Sequence, residues 1–296
     1  MLHLLPGPVR GVISFVLMAV NTVFWSVPIF LCVPFKLLVP IRAWQHLCNR
    51  ALSAIAGFWI RGNTLIQQLS CTINWDVSSV ENLSPKQWYM VLANHQSWVD
   101  ILVLQKIFHK KIPFLKFFIK KELIWLPLLG QAWWVMDFPF MKRYSKKLLA
   151  RKPHLRGRDM EITRKACEKF KSLPISVMNF VEGTRFSFEK HRKQASPYKN
   201  LLKTKAGGIA FVLSTMGDQV SRILDVTIVY PDGKKSFWAY LCGKIECINV
   251  RINALPVTDD LRGDYLNDNQ FRERIHGWLN SLWLEKDRRI EFMRNC

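Results

Sequence analysis

Between Arg10 and Lys36 the chain carries no charged side chain. At about 1.5 Å per residue, the run from Gly11 to Phe35 is long enough to cross a ~30 Å hydrocarbon core as a tilted helix. It is too long for the apolar core of a secretory signal, and no small-residue cleavage site follows it. Pro28 and Pro34 predict kinks within it. A second apolar stretch, Ala51 to Ile60, follows Lys36, Arg42 and Arg50. It predicts either an amphipathic helix lying in the interface, about 42–62, or the return arm of a hairpin that enters and leaves by one face. Residues 1–66 therefore read as a membrane anchor. Cations follow the apolar run and the first acidic residue is Asp76, which puts the body of the protein on the cytoplasmic side.

The body, 69–296, has no repeat, low-complexity tract or Gly/Ser linker and reads as one catalytic-sized domain. With 43 Lys+Arg against 22 Asp+Glu the net charge is +21, which excludes an ordinary neutral enzyme and asks for an anionic partner. Nucleic acid, an anionic membrane, an acidic carrier protein and a phosphorylated small molecule all qualify. The 12 Trp and 19 Phe favour lipid, because aromatic rings settle at the bilayer interface. Seven scattered cysteines form no C-x-x-C pair, so neither a zinc site nor a disulfide framework is expected, and the compartment reads as reducing.

Short apolar runs bounded by turn residues predict strands at Cys71–Asp76, Tyr89–Ala93, Pro113–Phe118, Trp134–Phe138, Ile175–Val181, Ile223–Val229 and Ser236–Leu241, with a weaker candidate at Ile245–Ile252. Helical patterns lie near Ser97–Phe108, Arg158–Ser172, Gly208–Ser214 and Asp268–Leu284. Strands alternating with helices predict an α/β architecture.

Three of these strand ends carry chemistry. The first runs from Tyr89 through Ala93 into Asn94-His95-Gln96-Ser97-Trp98-Val99-Asp100. On one helix His95 and Asp100 would stand about 140° apart and could not meet. With His95 in a turn and Asp100 in the first turn of a helix capped by Ser97, the carboxylate reaches an imidazole nitrogen. It then fixes the tautomer and leaves the other nitrogen as a general base. The second strand ends in Glu182-Gly183-Thr184-Arg185. Gly183 permits a tight turn, Arg185 can clamp a phosphate with Thr184 as a further donor, and Glu182 can hold Arg185 or a backbone amide. The third, Trp134–Phe138, runs into Pro139-Phe140-Met141-Lys142-Arg143, preceded by Lys120-Lys121-Glu122. In open α/β sheets ligands bind beyond the carboxyl ends of strands. A base at one end and cations at two others describe a site for a phosphate-bearing molecule with a hydroxyl.

Asn94–Asp100 resembles the N-H-x4-D signature of the glycerolipid (lysophospholipid) acyltransferases, and Phe180–Arg185 resembles their F-P-E-G-T-R block. Lys120–Gly130 with Phe140 and Arg143 is similar to their second block, and Val226–Pro231 to their fourth. Bacterial 1-acylglycerol-3-phosphate acyltransferases are the nearest group by this likeness. The resemblance implies an αβ domain with a mixed sheet behind a membrane helix or two-helix hairpin. It implies acyl transfer from acyl-CoA or acyl-carrier protein to the free hydroxyl of a lysophospholipid, with no other cofactor. His95 would be the base and Asp100 its partner. Glu182, Gly183, Thr184 and Arg185 would bind the acceptor phosphate, as would Lys120 and Arg143 with Phe140 beside them. The membrane would be the bacterial inner membrane, with the domain in the cytoplasm. Val181 and Asp137 depart from the family pattern, the first where Pro is usual and the second where a small residue is commoner. Two other readings stand beside this one: remodelling of another lysophospholipid such as lysophosphatidylglycerol, and a catalytically silent, membrane-anchored polyanion binder. No nucleic-acid motif supports the last.

Overall fold

A computed structural model describes residues 2–39, 41–78, 80–141, 151, 173–233, 235–265 and 267–295. The predicted helix Arg158–Ser172, Arg143 and the cations of 142–158 other than Arg151 lie outside the described residues.

Helix α1 (Gly7–Leu38) runs unbroken through both internal prolines. Its buried positions are Gly11, Ser14, Ser26 and Ile29, three of them small, while Val12, Phe15, Val16, Phe24, Leu31 and Phe35 stand exposed along it. Helix α2 (Arg42–Ser70) extends past the expected end near 62. The two pack as a hairpin whose contact is an amide cluster. Asn21 Nδ2 donates to the Trp59 carbonyl and to Asn63 Oδ1, each at 3.0 Å. Gly62 makes room for Asn21, since a Cβ there would lie 2.2 Å from its side-chain oxygen. Neither amide would find a partner in lipid, so each fixes the register of the other helix.

A six-stranded sheet forms the body, in the order β1-β8-β7-β2-β6-β3. The strands are β1 (Asn74–Ser78), β2 (Trp88–Ala93), β3 (Leu115–Phe117), β6 (Ser176–Phe180), β7 (Val220–Val229) and β8 (Cys247–Leu255). Every pair is parallel except β7 with β8, so the sheet is mixed. Short β4 (Ile119–Lys120) and β5 (Phe140–Met141) form a separate parallel pair. Strand β2 is buried on both faces, as a central parallel strand must be. Met90 and Leu92 join a core with α6 (Gly207–Met216) and α8 (Asn269–Asn295), and Tyr89, Val91 and Ala93 join one with α3 (Val99–Phe108) and α7 (Phe237–Leu241). The segment after Pro231, to which the family resemblance assigned no part, supplies β8 and α8 and so closes the sheet and one of its faces.

Two expected strands are helices. Trp134 and Val135 of the predicted strand Trp134–Phe138 end α4 (Leu129–Val135), which packs its small and branched residues on the hairpin. Ser236–Leu241 is α7 with its cap, Ser236 Oγ accepting from the Ala239 amide at 3.0 Å. Aromatic and β-branched runs of five or six residues do not separate buried strand from buried helix, and here the contacts of the hairpin and the cap decide.

The hairpin is fixed to the body at both ends of α1. Arg10 Nε donates to the Cys242 carbonyl at 2.8 Å, beside the close approach of Gly11 to Cys242. Lys36 Nζ pairs with Asp137 at 2.6 Å and donates to the Val135 carbonyl. Asp137, the departure from the family pattern, is thus the anchor for the cation that ends the apolar run.

Candidate active site

The site is built at the carboxyl ends of three adjacent parallel strands, β7, β2 and β6. After Ala93, Asn94 locks the exit of β2 to its neighbour: its side chain donates to the Ile228 carbonyl and accepts from the Ile228 amide, both at 2.8 Å. His95 follows in the turn. Its amide donates to Glu182 Oε1 at 2.9 Å, and its carbonyl accepts from the Phe186 amide at 2.8 Å. Its ring lies on that of Phe180, 3.8 Å between centroids and 12° from parallel. Backbone and ring are therefore held from three directions before any substrate arrives.

His95 Nδ1 stands 2.9 Å from Asp100 Oδ2. Asp100 is fully buried, and that oxygen also accepts from the amides of Gln96 at 2.6 Å and Ser97 at 2.8 Å. The other oxygen accepts from the Tyr230 hydroxyl at 2.6 Å. A carboxylate with this many donors takes the Nδ1–H of the imidazole and leaves Nε2 with its lone pair. The His95 side chain is 12% exposed, enough for its free edge to meet a ligand. Burial, followed by the Asp100 charge, pushes the Tyr230 phenol well above its usual range, so it remains a donor. The expected cap is displaced by one residue. Trp98 occupies the N-cap of α3, and Ser97 Oγ accepts from the Val99 amide at 3.0 Å. Asp100 is consequently the second helical residue, not the third.

Strand β6 delivers the neighbouring turn. Gly183 has φ +67°, the left-handed conformation that glycine adopts freely, and its amide closes on the Phe180 carbonyl at 2.8 Å. Glu182 is fully buried, its second oxygen accepting from the Leu202 amide at 2.9 Å. It props both turns from beneath and does not hold Arg185. Burial raises its carboxyl to about 7 against the pull of the two amides. The Arg185 guanidinium lies 4.5 Å above the half-exposed Trp98 ring. Lys190, on α5 (Phe188–Gln194), donates to Thr184 Oγ1 and to the Arg185 carbonyl, both at 2.9 Å, and so adds a cation at this turn.

Lys120 is exposed on β4, opposite Met141, and Phe140 is half-buried on β5 against the hairpin-facing cluster. Neither touches His95 or Asp100 among the described contacts. A row of rings connects that region to the base: Phe138 with Phe117 at 6.5 Å, Phe117 with Phe180 at 6.3 Å, and Phe180 with His95.

A family model described as Acyltransferase matches residues 74–231, more than half of the chain and all three strand ends described above. The chain belongs to the Acyltransferase family. The acyltransferase is 24% identical over 277 residues to mouse 1-acyl-sn-glycerol-3-phosphate acyltransferase gamma, covering 87% of this chain and 68% of that one. It is 25% identical over 237 residues to 1-acyl-sn-glycerol-3-phosphate acyltransferase 3 of Arabidopsis thaliana, covering 73% and 56%. It is 24% identical over 246 residues to the 2-acyl-1-lysophosphatidylinositol acyltransferase of Saccharomyces cerevisiae, covering 68% and 60%. The chain thus spans 56% to 68% of these relatives' lengths. The crystal structure of the 1-acyl-sn-glycerophosphate acyltransferase PlsC from Thermotoga maritima superposes with a TM-score of 0.54 at 15% identity, covering 96% of this chain and 95% of that one. At that identity the likeness speaks to fold, and it extends over hairpin and body alike.

Sequence reasoning attached no role to four side chains at these turns: Tyr230 and Phe180, which hold Asp100 and His95, and the cations Lys190 and Lys235. Lys235 Nζ donates to Gln96 Oε1 at 2.6 Å. Tyr230 stands in the fourth strand-end block, so the signal was present without a role attached. The lysines carry no local pattern that separates them from the many others.

Proposed function

We propose that the protein transfers a fatty acyl group from acyl-CoA or acyl-carrier protein to the free hydroxyl of a lysophospholipid, with 1-acylglycerol-3-phosphate the leading acceptor and phosphatidic acid the product. The observation that carries this reading is the His95–Asp100 contact at the end of β2, beside the Glu182–Arg185 turn at the end of β6. The acceptor hydroxyl gives its proton to His95 Nε2 as its oxygen attacks the thioester carbonyl. The tetrahedral intermediate collapses, the carbon–sulfur bond breaks, and the departing thiolate takes the proton from the imidazolium. Asp100 offsets the positive charge while it exists, and the Phe180 face beneath the ring favours the same state. Arg185, Thr184 and Lys190 form the cationic side of the turn, suited to the acceptor phosphate. Glu182 acts on the substrate only by fixing the two turns.

The names of the mouse and plant relatives point to the phosphomonoester acceptor, and that of the yeast relative to a lysophosphatidylinositol, so the acceptor is the first thing to measure. Purified protein in detergent is given labelled acyl donors and a panel of lyso-acceptors with and without a phosphomonoester head. Ester formation restricted to glycerol-based lyso-acceptors, highest with the phosphomonoester, is the expected result. No transfer to any acceptor, with salt-sensitive polyanion binding instead, would overturn it.

The hairpin is proposed as the membrane anchor, with the body on the cytoplasmic face. Because both ends of α1 are fixed to one body, we read it as embedded from one side with its apolar stripe in lipid. In a cysteine-depleted chain, labels near Arg10 and near Lys36 should then react from the same side of sealed vesicles. Labelling from opposite sides would make α1 a span. Of the relatives named, only the structural neighbour is bacterial, and a bacterial inner membrane is proposed on the family resemblance and that neighbour alone.

A further inference from the structure

Beyond the carboxyl end of β7 the surface opens into a cavity of about 280 Å³. Residues Ile228–Tyr230 contribute to its lining, with Gln96, Lys235 and Arg294 around them, and no acidic side chain is among the described residues that line it. Two cations share one volume, and each donates to an amide oxygen. Lys235 Nζ meets Gln96 Oε1 at 2.6 Å, and an Arg294 amino group meets Asn200 Oδ1 at 2.5 Å. The acids nearby on α8 do not line the cavity, although the Arg294 charge reaches Glu291. Asp287 accepts from the amides of Lys199 and Asn200, and Glu291 pairs with Lys199 at 2.6 Å. Burial, followed by the Arg294 charge, holds the Lys235 amine below its usual value. Asn200, 4% exposed, accepts from Arg294 and is hydrogen-bonded through its side chain to Glu291. The cavity is therefore lined by two cations and, among the described residues, by no carboxylate.

Its location narrows what it can hold. Gln96 follows His95, so the cavity begins one residue from the base. Lys235 Nζ stands 5.2 Å over the ring of Phe186, the residue after Arg185, so the cavity adjoins the Arg185 turn and extends the cationic surface around the base. The proposed reaction brings together two phosphate-bearing molecules, a lysophospholipid and a carrier thioester, and a second pair of cations beside the first matches a second anionic substrate.

We propose that the Lys235–Arg294 cavity is a second anion site, which takes a phosphate group of one of the two substrates. Phosphate suits it because an ammonium binds it as a point charge and a guanidinium can fork two of its oxygens. The existence of the site stands on the cavity itself, and only the source of the phosphate rests on the acyl-transfer reading.

The test separates the two. Inorganic phosphate is titrated into the full chain in detergent by calorimetry. Lys235→Met should weaken binding at one site at least about tenfold, while Lys235→Arg and Arg185→Ala keep that site. Thermal melts confirm that the variants are folded. Identical isotherms for the wild type and Lys235→Met, or no phosphate binding by the wild type, would overturn the proposal even if the protein is an active acyltransferase. Phosphate binding lost in Lys235→Met from a protein inactive in every acyl-transfer assay would keep the site and retire the reaction. In an active enzyme, the Michaelis constants of Lys235→Met identify the source. A rise for acyl-CoA that is absent with acyl-dephospho-CoA assigns the site to the donor. A rise for the phosphomonoester acceptor that is absent with neutral monoacylglycerol assigns it to the acceptor. Michaelis constants unchanged for all four, despite lost phosphate binding, would overturn the assignment to a substrate.

Discussion

Two turns stand side by side at the carboxyl ends of β2 and β6, and they are built on different principles. In the first, His95 is fixed through its amide, its carbonyl, its Nδ1 and the face of its ring, and the carboxylate behind it is sealed and surrounded by donors. In the second, the backbone is equally fixed by Gly183 and Glu182, but Arg185 projects to the surface and rests on an exposed indole. A proton-transfer group misplaced by an ångström loses most of its effect, whereas a phosphate clamp gains from reach. For the function proposed, the difference places proton transfer on a rigid turn and acceptor recognition on an adaptable one, which suits a family whose relatives carry several lyso-acceptor names.

The sharpest way to break this comparison is at the rigid turn. Replacing His95 with Ala should lower kcat/KM by about 10³-fold or more, the upper range for a general base. Co-sedimentation with vesicles should stay unchanged, since the hairpin is untouched. A variant that retains near-normal turnover would remove the base from the mechanism.

Glu182 tests whether the two turns share one support. Its carboxyl, ordinarily near 4.5, is raised to about 7 by burial. Folding thus favours its protonated form. The stabilisation is fully present below the unfolded value and is lost as pH rises through about 7, a difference of roughly 3 kcal/mol. Urea midpoints of the wild type measured against Glu182→Gln should therefore fall between pH 4.5 and 7.5. A gap that is flat with pH would mean that the carboxyl is not desolvated as described. Tyr230→Phe is a smaller disturbance of the same turn. It leaves one Asp100 oxygen without its donor at a cost of about 2 kcal/mol, read in the same urea unfolding. Turnover should fall at the same time, because the Asp100 that orients His95 is no longer held from both sides.

How far the sequence revealed this arrangement depends on the range of the interactions. Tyr89–Ala93 was readable as a strand because a doubly buried parallel strand is continuously apolar, Ile175–Val181 and Ile223–Val229 because they are mostly apolar runs bounded by turn residues, and the His95–Asp100 meeting followed from a turn of fixed length. Tyr230 was not readable as the second partner of Asp100, because the pair is 130 residues apart and joined only by the pairing of β2 with β7. Lys36 and Asp137 lie 101 residues apart, and the structure explains the acid as the dock for the cation near the end of α1. Trp134–Phe138 and Ser236–Leu241 were misread for the opposite reason. Their patterns of five and six residues carry too little periodicity to choose, and the hairpin and a serine cap made the choice.

The adaptable turn should respond differently from the rigid one. Arg185 sits on Trp98 with no carboxylate partner among the described residues, so removing it leaves no buried charge behind and should not disturb the fold. Lys190 remains at the turn and keeps part of the cationic field. Arg185→Ala is therefore expected to raise KM for a phosphomonoester acceptor about tenfold, near 1.4 kcal/mol, with kcat changed much less. The same variant given neutral monoacylglycerol should match the wild type, because there is no phosphate to lose. Trp98→Ala should show a weaker version of the same pattern, since the indole only supports the guanidinium. If Arg185→Ala instead lowered kcat as severely as His95→Ala while KM stayed fixed, the guanidinium would belong to the transition state, and the division between a rigid base and a yielding clamp would fail.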